Sequence, residues 1–243
     1  MRLFELLTEA PPKVSYHSRP TSTSTIDRLP LDPGEDSKTA RGSHKMGSGA
    51  FAAVYGHDDN PHEVVKLSEP RSKKRIDGYE AFVRQLSRDP EMHENPHLPR
   101  IHIVRNIYNK DNDERQYIVR MEKLYPWAQL SEEEYEIMVK HTFTDSFIAQ
   151  VNNSLPEWRK DRLYWSVFMQ WVERSFVSAD YIPEKAYTAL KSKDLQNALT
   201  KIARLADKEN VRLDIHSANI MFRKTQYGPV LVITDPLSSS RFS

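Results

Sequence analysis

The chain has 243 residues, no cysteine, 35 Lys plus Arg against 34 Asp plus Glu, and 38% hydrophobic content. This composition is that of a soluble globular protein with enough apolar mass for one large domain or two lobes. It excludes disulfides and thiolate metal sites, and the near-neutral balance makes no case for direct nucleic-acid binding. No apolar run approaches the ~20 residues of a membrane span, and the start Met1-Arg2-Leu3-Phe4-Glu5-Leu6-Leu7 is too short and too acidic for a signal peptide. A cytoplasmic protein with no membrane partner is expected.

Residues 1–10 carry Leu3, Phe4, Leu6 and Leu7 at a spacing that predicts a short amphipathic helix. From Pro11 to Ser43 the chain is rich in Pro, Ser and Thr, with a Thr-Ser-Thr-Ser-Thr run at 21–25. With few large apolar residues to offset its ordering entropy, it reads as a flexible segment. The hydroxyl run is either plain solvated linker or a target for self-phosphorylation.

Order is expected from His44. Gly47-Ser48-Gly49 lies between two short strand candidates, with Val54 five residues after Gly49. A Gly-x-Gly pair alone only punctuates a hairpin. The fuller pattern Gly-x-Gly-x-x-Ala-x-Val suits a loop whose backbone lies close over nucleotide phosphates, with Val54 covering the base. Glu63-Val64-Val65-Lys66-Leu67 then predicts a strand with one central lysine. Lys66 is either a solvent-facing edge residue or a ligand of the α/β-phosphates. The segment 72–87 carries Ile76, Tyr79, Phe82, Val83 and Leu86 at helical spacing. On that helix Glu80 is the expected partner of Lys66, with Asp77 as its rival. A hairpin is expected from Ile101–Tyr108 and Gln116–Leu124, which brings the count to five strands and one helix. At its end the backbone groups of Glu122 and Leu124 are placed to bond an adenine edge, and Pro126 starts the crossing to a second lobe.

The periodicity is helical from Ser131. A capping-box start at Ser131-Glu132-Glu133-Glu134 predicts a helix to about Val151. Pro156 opens another, whose Trp158, Trp165, Phe168 and Trp171 read as core, and a third is expected from about Asp194 to Lys208. That helix delivers the chain to Asp214. Here Asp214 and Asp235 bracket a hairpin made of Ile220-Met221-Phe222, a turn at Tyr227-Gly228-Pro229, and Val230–Ile233. Asn219 stands five residues after Asp214. One Asp-x4-Asn taken alone is ordinary turn chemistry. Joined to a strand-terminal Asp, it supplies a carboxylate for a substrate hydroxyl and an amide plus a carboxylate for Mg²⁺, which points to phosphoryl transfer.

The order of these features resembles the protein-kinase-like fold. More narrowly, His44 to Lys66, Leu213-Asp214-Ile215-His216-Ser217-Ala218-Asn219-Ile220-Met221-Phe222 and Ile233-Thr234-Asp235-Pro236 resemble the early serine/threonine protein kinases of T-seven-like bacteriophages. The resemblance covers roughly residues 44–240, strong at the two ends and weak in the helical middle. It implies an α+β, bilobal protein-kinase-like fold: residues 44–126 a five-stranded antiparallel N-lobe with one helix, 127–243 a mostly helical minimal C-lobe, and 1–43 outside both. It implies ATP and Mg²⁺ as cofactors and host proteins as substrates. Asp214 would accept the substrate proton, Asn219 and Asp235 would hold Mg²⁺, and Lys66 would bind phosphate. Gly47 and Gly49 would cover the nucleotide, and Met221 would floor the adenine pocket. His216 would orient the loop or neighbour the transferred phosphate, or be a packed loop histidine.

The departures are specific. Ala52 replaces a third glycine, Arg212 and Leu213 stand where ordinary kinases have His-Arg, and Pro236 replaces the Phe of Asp-Phe-Gly. Seven residues follow Pro236, so an activation segment and its regulation by phosphorylation are not expected. Two alternatives remain open: a small-molecule kinase of the aminoglycoside-phosphotransferase type, and a non-catalytic kinase-like inhibitor of a host protein.

Overall fold

The computed structural model describes residues 43–48, 52–58, 60–69, 71–72, 77–109, 114–154 and 181–240. All but Ser43 belong to the second of two units, Met1–Ser43 and His44–Ser243. The expected N-terminal helix, the Ser/Thr/Pro-rich segment and the aromatic helix opening at Pro156 lie outside the described residues, as does Gly49.

The described unit is a mixed α+β structure. Five strands of useful length form its main sheet: β1 (Ser43–Ser48), β2 (Ala52–His57), β3 (Asn60–Ser68), β5 (Ile101–Asn109) and β6 (Glu114–Glu122). The two-residue β4 (Arg71–Ser72) pairs with the start of β6, along the edge that β3 occupies further on. The resulting order is β1-β2-β3-β6-β5, and the mapped pairings from β2 onward are antiparallel. Register decides which side chains share a face. Val54 lies opposite Lys66, and Lys66 lies opposite Val119, so the three project to one side of the sheet.

Against that side packs α1 (Gly78–Arg88). Tyr79, Phe82, Val83 and Leu86 recur at i, i+3, i+4 and i+7, and all four are buried. Each buried side chain contributes about 2 kcal/mol of transfer free energy, and that packing sustains a helix too short to stand alone. The helix starts later than the expected 72–87. Ser72 is drawn into the sheet, and the Asp77 carboxylate caps the first turn by accepting the Tyr79 N–H at 2.9 Å. Asp89 ends α1 and caps α2 (Pro90–His93), accepting the N–H groups of Glu91 and Met92.

The single helix expected from Ser131 to Val151 is two helices. α3 (Glu132–Thr142) begins with the capping box as expected. It stops because Phe143 turns extended and bridges Leu190, and α4 (Asp145–Ser154) restarts after Thr144. After α5 (Glu184–Ala189), the long α6 (Lys193–Glu209) buries Leu195, Ala198, Leu199, Ile202, Leu205 and Ala206 on one stripe. Asn210 closes it in the left-handed region at φ 53°.

Four short strands follow. β8 (Ile220–Thr225) and β9 (Gly228–Ile233) form the expected hairpin, its turn passing through Gly228 at φ 111°. The pairing of β7 (Val211–Leu213) with β10 (Leu237–Ser240) was not expected, since three- and four-residue strands leave almost no periodicity to read. One apolar core runs from the sheet through α1, α3 and α6 to this hairpin.

Candidate functional site

The β7–β10 ladder draws the site together. The Leu213–Leu237 pair continues into a bond from the Asp214 N–H to the Pro236 carbonyl at 2.7 Å, so the residues beside the two key aspartates are tied backbone to backbone. A second tie joins the other pair. Thr234, next to Asp235, donates to the Asn219 carbonyl from its N–H at 2.9 Å and from its Oγ1 at 3.0 Å. Asp214, Asn219 and Asp235 are thus held by the backbone around one hairpin.

Within the loop, Ser217–Asn219 makes a single 3₁₀ turn that His216 caps, its Nδ1 accepting the Ala218 N–H at 3.2 Å. Its Nε2 lies 3.5 Å from Asp214 Oδ1. Asn219 Nδ2 donates to the Asp214 carbonyl at 2.8 Å, and it stands 3.4 Å from Asp214 Oδ2 and 3.0 Å from His216 Nε2. His216 therefore orients this loop, and it is not packed away: its side chain is 44% exposed, and that of Asp214 43%.

Lys66 reaches the same place from β3. Its Nζ lies 2.8 Å from Asp235 Oδ2, between residues 169 positions apart in sequence. Burial pushes the Asp235 carboxyl above the ordinary carboxylate range; the Lys66 ammonium opposes this, and the charges of Asp77 and Asp214 reinforce it. Even with Lys66 in contact, the carboxylate sits where more positive charge would stabilise it.

The expected Lys66–Glu80 pair is not formed. Glu80 is buried and is engaged by Arg84 one turn further along α1 and by Arg115 of β6 at 3.1 Å. Lys66 instead places its Nζ 3.5 Å from the centroid of the Tyr79 ring. The rival, Asp77, spends its carboxylate on the α1 cap and on the Tyr117 hydroxyl at 2.8 Å.

The remaining residues fall around this group. Val54 faces Lys66 across the β2–β3 ladder and is partly buried against the core. Gly47 stands in β1, where an added Cβ would meet nothing within 4 Å, and Ser48 ends that strand. Met221 lies on β8, partly buried against the core. At the end of β6 the N–H of Glu122 bonds the Arg100 carbonyl, that of Lys123 the His62 carbonyl, and that of Tyr125 the Phe222 carbonyl. The Leu124 N–H is left without a backbone partner among the described residues, the position from which a donor to an adenine edge was expected.

Two buried polar residues that frame the site went unnoticed in sequence. Arg223 on β8 grips the Glu122 carboxylate, through Nε at 2.8 Å and through Nη2, and also bonds the carbonyls of Pro96 and Leu98. Its one signal is a charge closing the apolar run Ile220-Met221-Phe222. His97 holds β9 to α6: Nδ1 donates to the Leu231 carbonyl and Nε2 accepts from Ser192 Oγ, both at 2.8 Å. Burial pushes His97 down to about 4.

Three side chains here carry oxygen donors. The site offers the Asp235 carboxylate and the Asn219 amide, with Asp214 beside them. These are oxygen donors of the kind that could hold a hard cation such as Mg²⁺. Among the described residues no three His, Asp or Glu side chains group as a resident metal site, and no helix is long and apolar enough to cross a membrane. No protein-family model and no curated protein sequence matches the chain.

Proposed function

We propose that the chain is an ATP- and Mg²⁺-dependent phosphotransferase of bilobal, protein-kinase-like architecture, with residues 44–126 as one lobe and 127–243 as the other. On the resemblance of its motifs to the early serine/threonine protein kinases of T-seven-like bacteriophages, its substrates are Ser/Thr hydroxyls of host proteins. The observation that carries this reading is the contact of Lys66 with Asp235, a sheet lysine meeting the strand-terminal carboxylate of a distant hairpin at 2.8 Å. A structural ion pair needs no third or fourth polar group beside it. Here Asn219 and Asp214 are tied into the same hairpin by backbone bonds, and the Asp214 side chain stays 43% exposed.

Lys66 holds the α/β-phosphates, and the Leu124 N–H meets the adenine edge beneath Val54. Asp235 and Asn219 would hold Mg²⁺, which when bound neutralises charge on the phosphate oxygens. Asp214 accepts the proton that a substrate hydroxyl sheds as its oxygen attacks the γ-phosphorus and the bond to the β-phosphate oxygen breaks. His216, 3.5 Å from Asp214 Oδ1, fixes the direction of that carboxylate. Positioning and charge neutralisation then supply the acceleration.

Turnover of γ-labelled ATP, with and without Mg²⁺, tests the proposal in the parent and in Asp214→Asn and Asp235→Asn. The expected result is Mg²⁺-dependent labelling of protein, reduced about a thousandfold or more in both variants. A parent that labels nothing and binds no ATP would end the proposal. Label confined to small metabolites would move it to a small-molecule kinase, and activity surviving loss of Asp214 would remove that residue's role.

A further inference from the structure

The lysine of this site has lost its expected carboxylate, and the structure shows what stands in its place. Lys66 Nζ lies 3.5 Å from the centre of the Tyr79 ring, well inside the distance at which an ammonium is held by an aromatic face. We propose that Tyr79, not a helix glutamate, is the residue of α1 that positions Lys66 toward the phosphates, which gives the helix a cation–π hold on the active-site lysine. The proposal rests on the phosphotransferase reading for its meaning, but its geometry does not.

Three observations converge on it. First, Tyr79 is fixed. The residue is 4% exposed, its ring sits 5.8 Å from the Tyr117 ring, and its N–H is capped by Asp77, whose other oxygen takes the Tyr117 hydroxyl. Second, the hold is on the ring face and not on the oxygen. The hydroxyl points to Met121 Sδ at 3.8 Å, a weak contact, and burial, with the Asp235 and Asp77 charges, keeps the phenol well above its usual pKa and therefore neutral. Third, Glu80 is spoken for. One position along a helix turns a side chain by about 100°, so with Tyr79 facing the sheet at Lys66 its neighbour points elsewhere. There it meets Arg84 and Arg115. A ring face suits a lysine that must also serve Asp235, because it fixes the ammonium without competing as a second anion. The charge of Lys66 then remains for Asp235 and the phosphates.

The test reads Lys66 directly. Brief acetylation of the folded, full-length protein with acetic anhydride, followed by mass spectrometry, compares the labelling rate of Lys66 with that of Lys140, whose side chain is 69% exposed. The variants are Tyr79→Phe, Tyr79→pentafluorophenylalanine, which keeps ring shape while removing the negative face, and Glu80→Gln. Expected is a Lys66 rate within twofold of the parent for Tyr79→Phe and for Glu80→Gln, and about tenfold faster for the fluorinated ring. In ATP turnover the fluorinated variant should raise KM for ATP about tenfold, with Tyr79→Phe restoring the parent value. A Lys66 rate unmoved by fluorination overturns the proposal, as does an equal acceleration by Glu80→Gln. Should the parent prove unable to turn over ATP while the labelling series holds, the kinase reading fails and the role of Tyr79 stands.

Discussion

Both ring nitrogens of His97 are bonded and the residue is 7% exposed, whereas around His216 the neighbouring Asp214 side chain is 43% exposed and Asp235 is pushed away from its charged form by burial. Both clusters use a histidine, a loop and the β8–β9 hairpin. The first uses its hydrogen bonds to join elements: β9 and the start of α6 at His97, and β8, β6 and the 96–98 loop at Arg223. The second leaves capacity over, and its carboxylates outnumber the cation that faces them. A closed polar knot sets architecture, and an electrostatically unbalanced open one is fit to take charged ligands.

The strongest way to break this contrast is to open the knot. Arg223→Met leaves the Glu122 carboxylate, 12% exposed, without its guanidinium and two carbonyls without donors. The expected loss is about 4 kcal/mol in urea unfolding. A loss under about 1 kcal/mol would mean that the knot does not hold the sheet to the hairpin.

Acid should open the knot next. His97 titrates at about 4 in the folded chain and near 6.5 unfolded, so between those values the unfolded chain takes up a proton that the folded chain refuses. Stability is therefore fully present above the unfolded value and falls as pH drops from 6.5 toward 4, by about 3 kcal/mol from this one residue. Comparing unfolding at pH 7 and pH 4 for the parent and His97→Gln isolates the effect, since the variant should lose that much less across the interval.

Gly78→Ala probes the link between clusters. A Cβ there would stand 2.2 Å from the Ser238 carbonyl oxygen and 2.8 Å from that of Leu237, both backbone atoms of β10. The clash should cost about 2 kcal/mol and shift β10, which begins two residues after Asp235. Amide exchange along Leu237–Ser240 should speed up, while exchange around His97 stays as in the parent.

What sequence made legible follows the same division. Strands with apolar alternation, the amphipathic α6 and the β8–β9 hairpin are local patterns that appear where expected within a few residues, while the amphipathic α1 is present but starts six residues later. Lys66, Asp214, Asn219 and Asp235 were legible only in combination, since each spacing taken alone is ordinary turn or strand chemistry. The partner of Lys66 was not, because Glu80 and Tyr79 are adjacent and only the rotation of α1, set by its Asp77 cap, decides which one faces the lysine. The break between α3 and α4 was hidden because Phe143 leaves the helix to bridge Leu190, a contact made across 47 residues of chain. His97 and Arg223 gave no local signal either, since their partners all come from distant segments.

The most direct test of the central claim is calorimetric titration of ATP, with and without Mg²⁺, into the parent and Asp235→Asn. The account predicts that Mg²⁺ tightens ATP binding to the parent at least tenfold and leaves the variant's affinity unchanged. ATP affinity indifferent to Mg²⁺ in the parent, or a Mg²⁺ effect that survives loss of Asp235, would contradict it.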